Sequence, residues 1–199
     1  MTLPARLTAA LAKGAGSHMI LIPGDQRDGE LAPADTLLPA AVLIAVTDRA
    51  DPGVILTQRT ETMSRHPGQI AFPGGRIDPG EDVVTAALRE AEEEIALPRT
   101  HVTVIGEADS YRTVTGFQVT PVIGVIPPDL VFTRSEAEVA SVFEVPLAFL
   151  LDDANHVEAT VEWQGRDRHY YEIMWNDRRI WGATAAMIVN LSRRLELVS

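Results

Sequence analysis

From Gly75 to Leu97 the chain reads GRIDPGEDVVTAALREAEEEIAL, a glycine turn that runs into an acidic helix. No other stretch limits the possible folds as strongly. At about 100° per residue, Val84, Leu88, Ala91 and Ile95 share one stripe, so the helix has an apolar face that must pack on a core. Glu90, Glu93 and Glu94 spread over an arc of about 100° on the other side. Each like-charged i, i+4 pair costs roughly 0.2–0.5 kcal/mol on a bare helix. Two readings follow: a solvated acidic face, or a set of oxygen ligands for a hard divalent cation, which would reverse the sign of that cost. The turn Phe72-Pro73-Gly74-Gly75 that delivers the chain into the helix favours the second, since a solubilising helix has no need of it.

The acids stand in a longer pattern. It resembles the Nudix box, G-x5-E-x7-R-E-U-x-E-E-x-G-U, in which U is a bulky aliphatic residue. Gly75 opens it, Glu81 follows, and Arg89, Glu90, Glu93, Glu94 and Leu97 fall in register. Two positions depart from the pattern. Ala91 is small for a U position, and Ala96 replaces the second glycine, which usually turns the chain in a left-handed conformation where alanine bears a steric cost. Every charged position is kept. Upstream, LTQRTETMSRHPGQIAFPGG (Leu56 to Gly75) is similar to the signature of the coenzyme A diphosphatase branch of that family, L-L-T-x-R-[SA]-x3-R-x3-G-x3-F-P-G-G. Leu56, Thr57, Arg59, Arg65, Gly68, Phe72, Pro73, Gly74 and Gly75 match, whereas Ile55 and Thr60 are mild departures. WGATAAMIVNL, from Trp181 to Leu191, also looks like this branch, on a weaker pattern.

The resemblance implies an α+β chain folded as an α/β/α sandwich with a mixed central sheet. It also implies a Mg²⁺- or Mn²⁺-dependent hydrolase that splits the diphosphate of coenzyme A or its thioesters into 3′,5′-ADP and (acyl-)4′-phosphopantetheine. Two alternatives stay open: a Nudix hydrolase of ADP-ribose or another nucleoside diphosphate derivative, and a non-catalytic nucleotide-sensing module. The latter commonly loses box acids.

Cleaving a pyrophosphate requires neutralised phosphate charge, an activated water and a stabilised leaving phosphate. Glu90 and Glu94, at i and i+4, are the principal candidate metal ligands, with Glu93 as the third; the resemblance supports the same positions. The Gly74 carbonyl can approach a metal closely, as backbone at glycine does. Glu93 and Glu138 are candidate general bases, although a metal can acidify water enough that no strong protein base is needed. Glu81 and Arg89 read as a supporting pair that orients the loop against the helix. Arg59, Arg65 and His66, with Gly74 and Gly75, are candidates for holding the substrate phosphates. Trp163, Tyr170, Tyr171, Trp175 and Trp181 can stack on an adenine, but core packing suits most of them better. Tyr111 to Thr120 is a candidate lining of the cleft.

Seventeen basic against 28 acidic residues give a net charge of −11. That field opposes general binding to nucleic acid or to an anionic membrane, so arginines and metal must act locally to hold an anionic substrate. The chain has no cysteine, which excludes disulfides, thiolate zinc sites and thiol nucleophiles and is the usage expected of a cytoplasmic protein. It has neither an apolar run long enough to span a membrane nor a signal-peptide core.

The 199 residues suit one domain, expected at 37–199. The segment 1–36 is expected to be a short helix ended by Gly14 and an irregular arm that packs on the domain or, in a homodimer, on a partner. Ala40–Val46 and Val54–Gln58 read as a strand hairpin, and Asp82–Ile95 as the acidic helix. Val102–Ile105, Phe117–Ile126 and Val139–Val145 read as strands, the last running into a short helix begun by Pro146. Val157–Trp163 and His169–Trp175 read as a hairpin across Gln164-Gly165, and Ala183–Val198 as a closing helix.

Overall fold

The computed structural model describes residues 2–14, 22, 37–62, 66–163 and 166–195, without the side chains of 163 and 166–168. Apart from Ile22, the expected irregular arm lies outside the described residues, as do Arg65 and the turn Gln164-Gly165.

The apolar run that begins at Leu38 becomes the central strand, β1 (Leu38–Thr47). It lies parallel to β7 (Phe117–Ile126) in one unbroken register, from Leu38 opposite Phe117 to Thr47 opposite Ile126. A strand covered on both faces has no solvated side, hence continuous rather than alternating hydrophobicity. Ala41, Leu43 and Ala45 face one core with Ala86, Ala87, Ala91 and Ile95 of the acidic helix. Ala40, Ile44 and Val46 face a second core on the opposite side.

Around this pair the sheet runs β3 (Ile70–Ala71), β2 (Gly53–Arg59), β1, β7 and β5 (Thr103–Glu107). Three further strands join it: β4 (Gly74–Arg76) on β1, β6 (Tyr111–Arg112) on β7 and β8 (Val139–Pro146) on β2. All but the β1–β7 pairing are antiparallel, so the sheet is mixed. Helix α2 (Val83–Ile95) covers one face. The other carries α1 (Leu3–Gly14), α3 (Leu147–Leu151) and α4 (Ala183–Leu195), which bury Leu7, Leu150, Met187, Ile188 and Leu191 in the second core. This is the expected sandwich. No helix among the described residues is long and apolar enough to cross a membrane.

A second, three-stranded sheet of β9 (Val157–Trp163), β10 (Arg166–Trp175) and β11 (Arg178–Trp181) adds to the α4 side. Strand β11 was not expected. Its four residues, two of them arginine, are too few and too polar to show a strand period. The only local signal is the preceding Asn176-Asp177 turn, where Asn176 takes φ 54°, a conformation asparagine tolerates.

Candidate active site

Helix α2 is fixed at both ends. At its start the Asp82 carboxylate accepts a hydrogen bond from the Thr85 N–H at 2.7 Å, which satisfies one of the donors left open at a helix N-terminus. At its end Ala96 adopts φ 54°, ψ 36°. The left-handed turn therefore forms although glycine is missing. Neighbours hold it: Leu97 is buried and donates to the Ala91 carbonyl at 3.3 Å. The loop before β8 closes over the same helix end, with Ser135 N–H on the Glu94 carbonyl at 2.8 Å and Thr133 N–H on that of Ile95 at 3.2 Å.

The glycine turn is shaped by close approach. Strand β4 pairs with β1, Gly74 opposite Val42 and Gly75 opposite Ala41. A Cβ on Gly74 would stand 2.4 Å from the Ala41 carbonyl oxygen, and one on Gly75 2.4 Å from Glu90 Oε1. Both contacts are far inside van der Waals distance. The Gly74 N–H reaches Glu94 Oε2 at 3.3 Å.

Arg89 ties loop to helix. Its Nε and Nη2 donate to the two oxygens of Glu81 at 2.9 and 3.0 Å, a bidentate pair, and Nη2 also donates to the Arg76 carbonyl at 3.0 Å. Its Nη1 donates to Glu90 Oε1 at 2.9 Å and to Glu93 Oε2 at 3.0 Å. These partners hold Arg89 more firmly protonated than usual. Arg89 in turn holds the Glu81 carboxyl below its ordinary range, with the Asp78 N–H as the next contribution.

The three box glutamates differ sharply in setting. The Glu94 side chain is 5% exposed, that of Glu90 16% and that of Glu93 60%. Burial pushes the Glu94 carboxyl up to about 8, and the neighbouring Glu90 and, more weakly, Glu138 add to it; the Arg59 guanidinium, 4.0 Å away, and the Gly74 N–H oppose it. Burial also raises Glu90, with Arg89 opposing and Glu93 and Glu138 adding. Buried carboxylate oxygens that repel one another, beside a backbone too close for any Cβ, match the donors a hard divalent cation selects. The residues thus fit a metal, which the buried Glu94 and the half-buried Glu90 could hold. Glu93 is turned to Arg89, and among the described residues no three acidic or histidine side chains cluster tightly enough to cage an ion alone.

Of the other sequence candidates, Arg59 lies at the site, at the end of β2. Glu138 acts on it from an exposed turn before β8. His66 sits on an exposed turn at φ 54°, its carbonyl accepting from the Gln69 N–H. The aromatic residues divide. Trp175 packs edge-on against Phe149, whereas Tyr170 and Trp181 meet on the outer face of the small sheet beneath the Arg179 guanidinium. Tyr111 is buried in the core. Sequence reasoning missed two residues that shape the Glu138 turn, Thr60 and Arg134. Their hydrogen bonds to that turn run to backbone carbonyls, which leave no side-chain pattern to read.

The profile of the NUDIX domain family matches residues 37–175 of this chain. An uncharacterized Nudix hydrolase, NudL, of Escherichia coli O7:K1 is 46% identical over 158 residues, which are 78% of this chain and 82% of that protein. Its namesake in Enterobacter sp. strain 638 is 44% identical over 157 residues, with the same coverage. Among solved structures, the Nudix hydrolase RenU of M. smegmatis superposes with a TM-score of 0.50 at 24% identity, covering 61% of this chain and 81% of that one. A MutT/nudix family protein of Enterococcus faecalis gives a TM-score of 0.50 at 14% identity, over 82% and 62%. These structures share the fold.

Proposed function

The chain belongs to the Nudix family of hydrolases, and on that premise we propose that it hydrolyses the diphosphate bond of coenzyme A or its thioesters with Mg²⁺ or Mn²⁺. One observation carries the reading. The loop similar to the coenzyme A signature is continuous with the acidic helix, and the structure brings Arg59 of that loop to 4.0 Å from Glu94 of the helix. The part of the chain that narrows the substrate therefore touches the part that performs the chemistry.

In this reading Glu90, Glu94 and Glu93 would hold the metal, offering the carboxylate oxygens that a hard divalent cation takes. The bound metal would neutralise phosphate charge and acidify the attacking water. Arg59 would offset the acidic field of the chain at the phosphates, and the resemblance adds Arg65, His66 and the Gly74–Gly75 backbone to that role. Arg89 and Glu81 keep the loop on the helix. Either Glu93 or Glu138 receives the proton of the attacking water. Residues 37–199 form the catalytic domain, and 1–36 an arm upon it or upon a second copy.

The test is a panel. Purified protein with Mg²⁺ is offered coenzyme A, acyl-coenzyme A, ADP-ribose and nucleoside triphosphates, and products are separated by chromatography. A coenzyme A compound is expected to give the highest kcat/KM, with 3′,5′-ADP released. Preference for ADP-ribose would overturn the substrate and leave the reaction class in place.

A further inference from the structure

The turn that carries Glu138 is held far more tightly than an exposed connection requires. Strand β8 follows β2 in regular register until Ser141 opposes Gln58; the next pair is Val139 with Arg59, so Ala140 is an extra residue, a β-bulge. Bulges break the ladder, leave polar groups unpaired and re-aim side chains, often beside active sites. Here the loose ends are taken up. Arg134 Nη1 donates to the Ala140 carbonyl at 2.6 Å and to the Val139 carbonyl at 3.2 Å. The turn ahead of the bulge is closed by Glu138 N–H and Val139 N–H on the Ser135 carbonyl, at 3.0 and 2.8 Å. Thr60, next to Arg59, grips it from the other side, with its N–H on the Glu138 carbonyl at 3.0 Å and its hydroxyl on the Ala137 carbonyl at 3.2 Å. The Ser135 N–H fastens the turn to the Glu94 carbonyl. A single short turn is thus tied to the metal helix, to the substrate loop and to itself.

We infer that Thr60 and Arg134 are positioning residues that hold the Glu138 turn against α2, so that Glu138 is the base of the hydrolysis. Glu93, the other candidate, is held by Arg89, whereas the charge of Glu138 is felt by both Glu90 and Glu94. In the step, water oxygen bonds to phosphorus, the bond from phosphorus to the bridging oxygen breaks, and that oxygen leaves with the second phosphate. The Glu138 carboxylate takes the proton of the water and passes it to solvent. The inference rests on the reading of this site as a diphosphate hydrolase.

The experiment is a pair of double-mutant cycles, Thr60→Val and Arg134→Gln, each alone and combined with Glu138→Gln. It is read as kcat and KM on whichever diphosphate of the panel is turned over fastest, with thermal melts alongside. Failure of coenzyme A as a substrate therefore leaves the inference tested on another compound. Glu138→Gln is expected to lower kcat by about 10²-fold or more, the size of a general-base contribution. Each positioning variant is expected to lower kcat roughly 5- to 30-fold with KM nearly unchanged, and to have no further effect once Glu138 is gone, as coupled residues behave. Arg134→Lys should restore part of the loss. Unchanged kcat in Glu138→Gln, or equal losses from Thr60→Val and Arg134→Gln with and without Glu138, would overturn the inference.

Discussion

Glu94→Gln separates the charge of the buried carboxyl from its shape. Gln can still accept from the Gly74 N–H, but it does not titrate. In the native protein the Glu94 carboxyl is pushed up to about 8 from an ordinary 4.5, mainly by burial and then by Glu90. A raised folded-state value means that the folded protein binds the proton more tightly than the unfolded chain. Its contribution is fully present below about pH 4.5 and is lost progressively as pH rises to about 8. Within that window the slope is about 1.4 kcal/mol per pH unit. Between about pH 5.5 and 7.5, the wild type should therefore lose on the order of 2–3 kcal/mol relative to Glu94→Gln. For a chain of this size that is roughly 5–10 °C in Tm. Other titrating groups cancel in the difference, except that Glu90 loses a repelling neighbour in the variant. The assay is thermal and urea denaturation of both proteins over this range in EDTA, repeated with Mg²⁺. Without metal the two stabilities should diverge as pH rises. With Mg²⁺ the wild type should recover at the alkaline end and the variant should not, because a cation binds the ionised form. A pH-independent difference between the two proteins would refute the reasoning.

Two other substitutions test the frame of the site. Ala96→Gly removes the left-handed strain of an alanine at φ 54° and should stabilise by about 0.5 kcal/mol after the greater entropy loss of glycine, read as a small rise in the urea midpoint. Gly75→Ala puts a methyl 2.4 Å from Glu90 Oε1; it should displace that carboxylate and lower kcat by about 10²-fold, as small misplacements of catalytic groups do, with the far-ultraviolet circular dichroism unchanged.

What the sequence revealed depended on how local each feature was. The central strand could be read because Ala40–Val46 is buried on both faces, and burial on two faces writes a continuous apolar run. The acidic helix could be read because its stripe repeats at helical period. Spacing could not say how the three glutamates divide, since Glu90, Glu93 and Glu94 look alike on a helical wheel. Their separation into one buried, one half-buried and one exposed side chain is set by Gly75 on one side and Arg89 on the other. The bulge at Ala140 and the capping of α2 by Ser135 are backbone arrangements, and Ala and Ser announce neither.

The first and last helices among the described residues meet in this fold. Helix α1 packs on α4, and the buried Asn190 amide clasps Ile22, accepting from its N–H at 2.8 Å and donating to its carbonyl at 2.9 Å, across 168 residues of chain. During synthesis, then, the apolar side of α1 leaves the ribosome long before the surface that covers it exists. At about 5–20 residues per second the wait is on the order of ten seconds or more. Over that interval Leu3, Leu7 and Leu11 present the kind of bare amphipathic face that chaperones bind. The clasp at Asn190 can form only after the 168 residues that separate it from Ile22 have been made, and until then the second core cannot close.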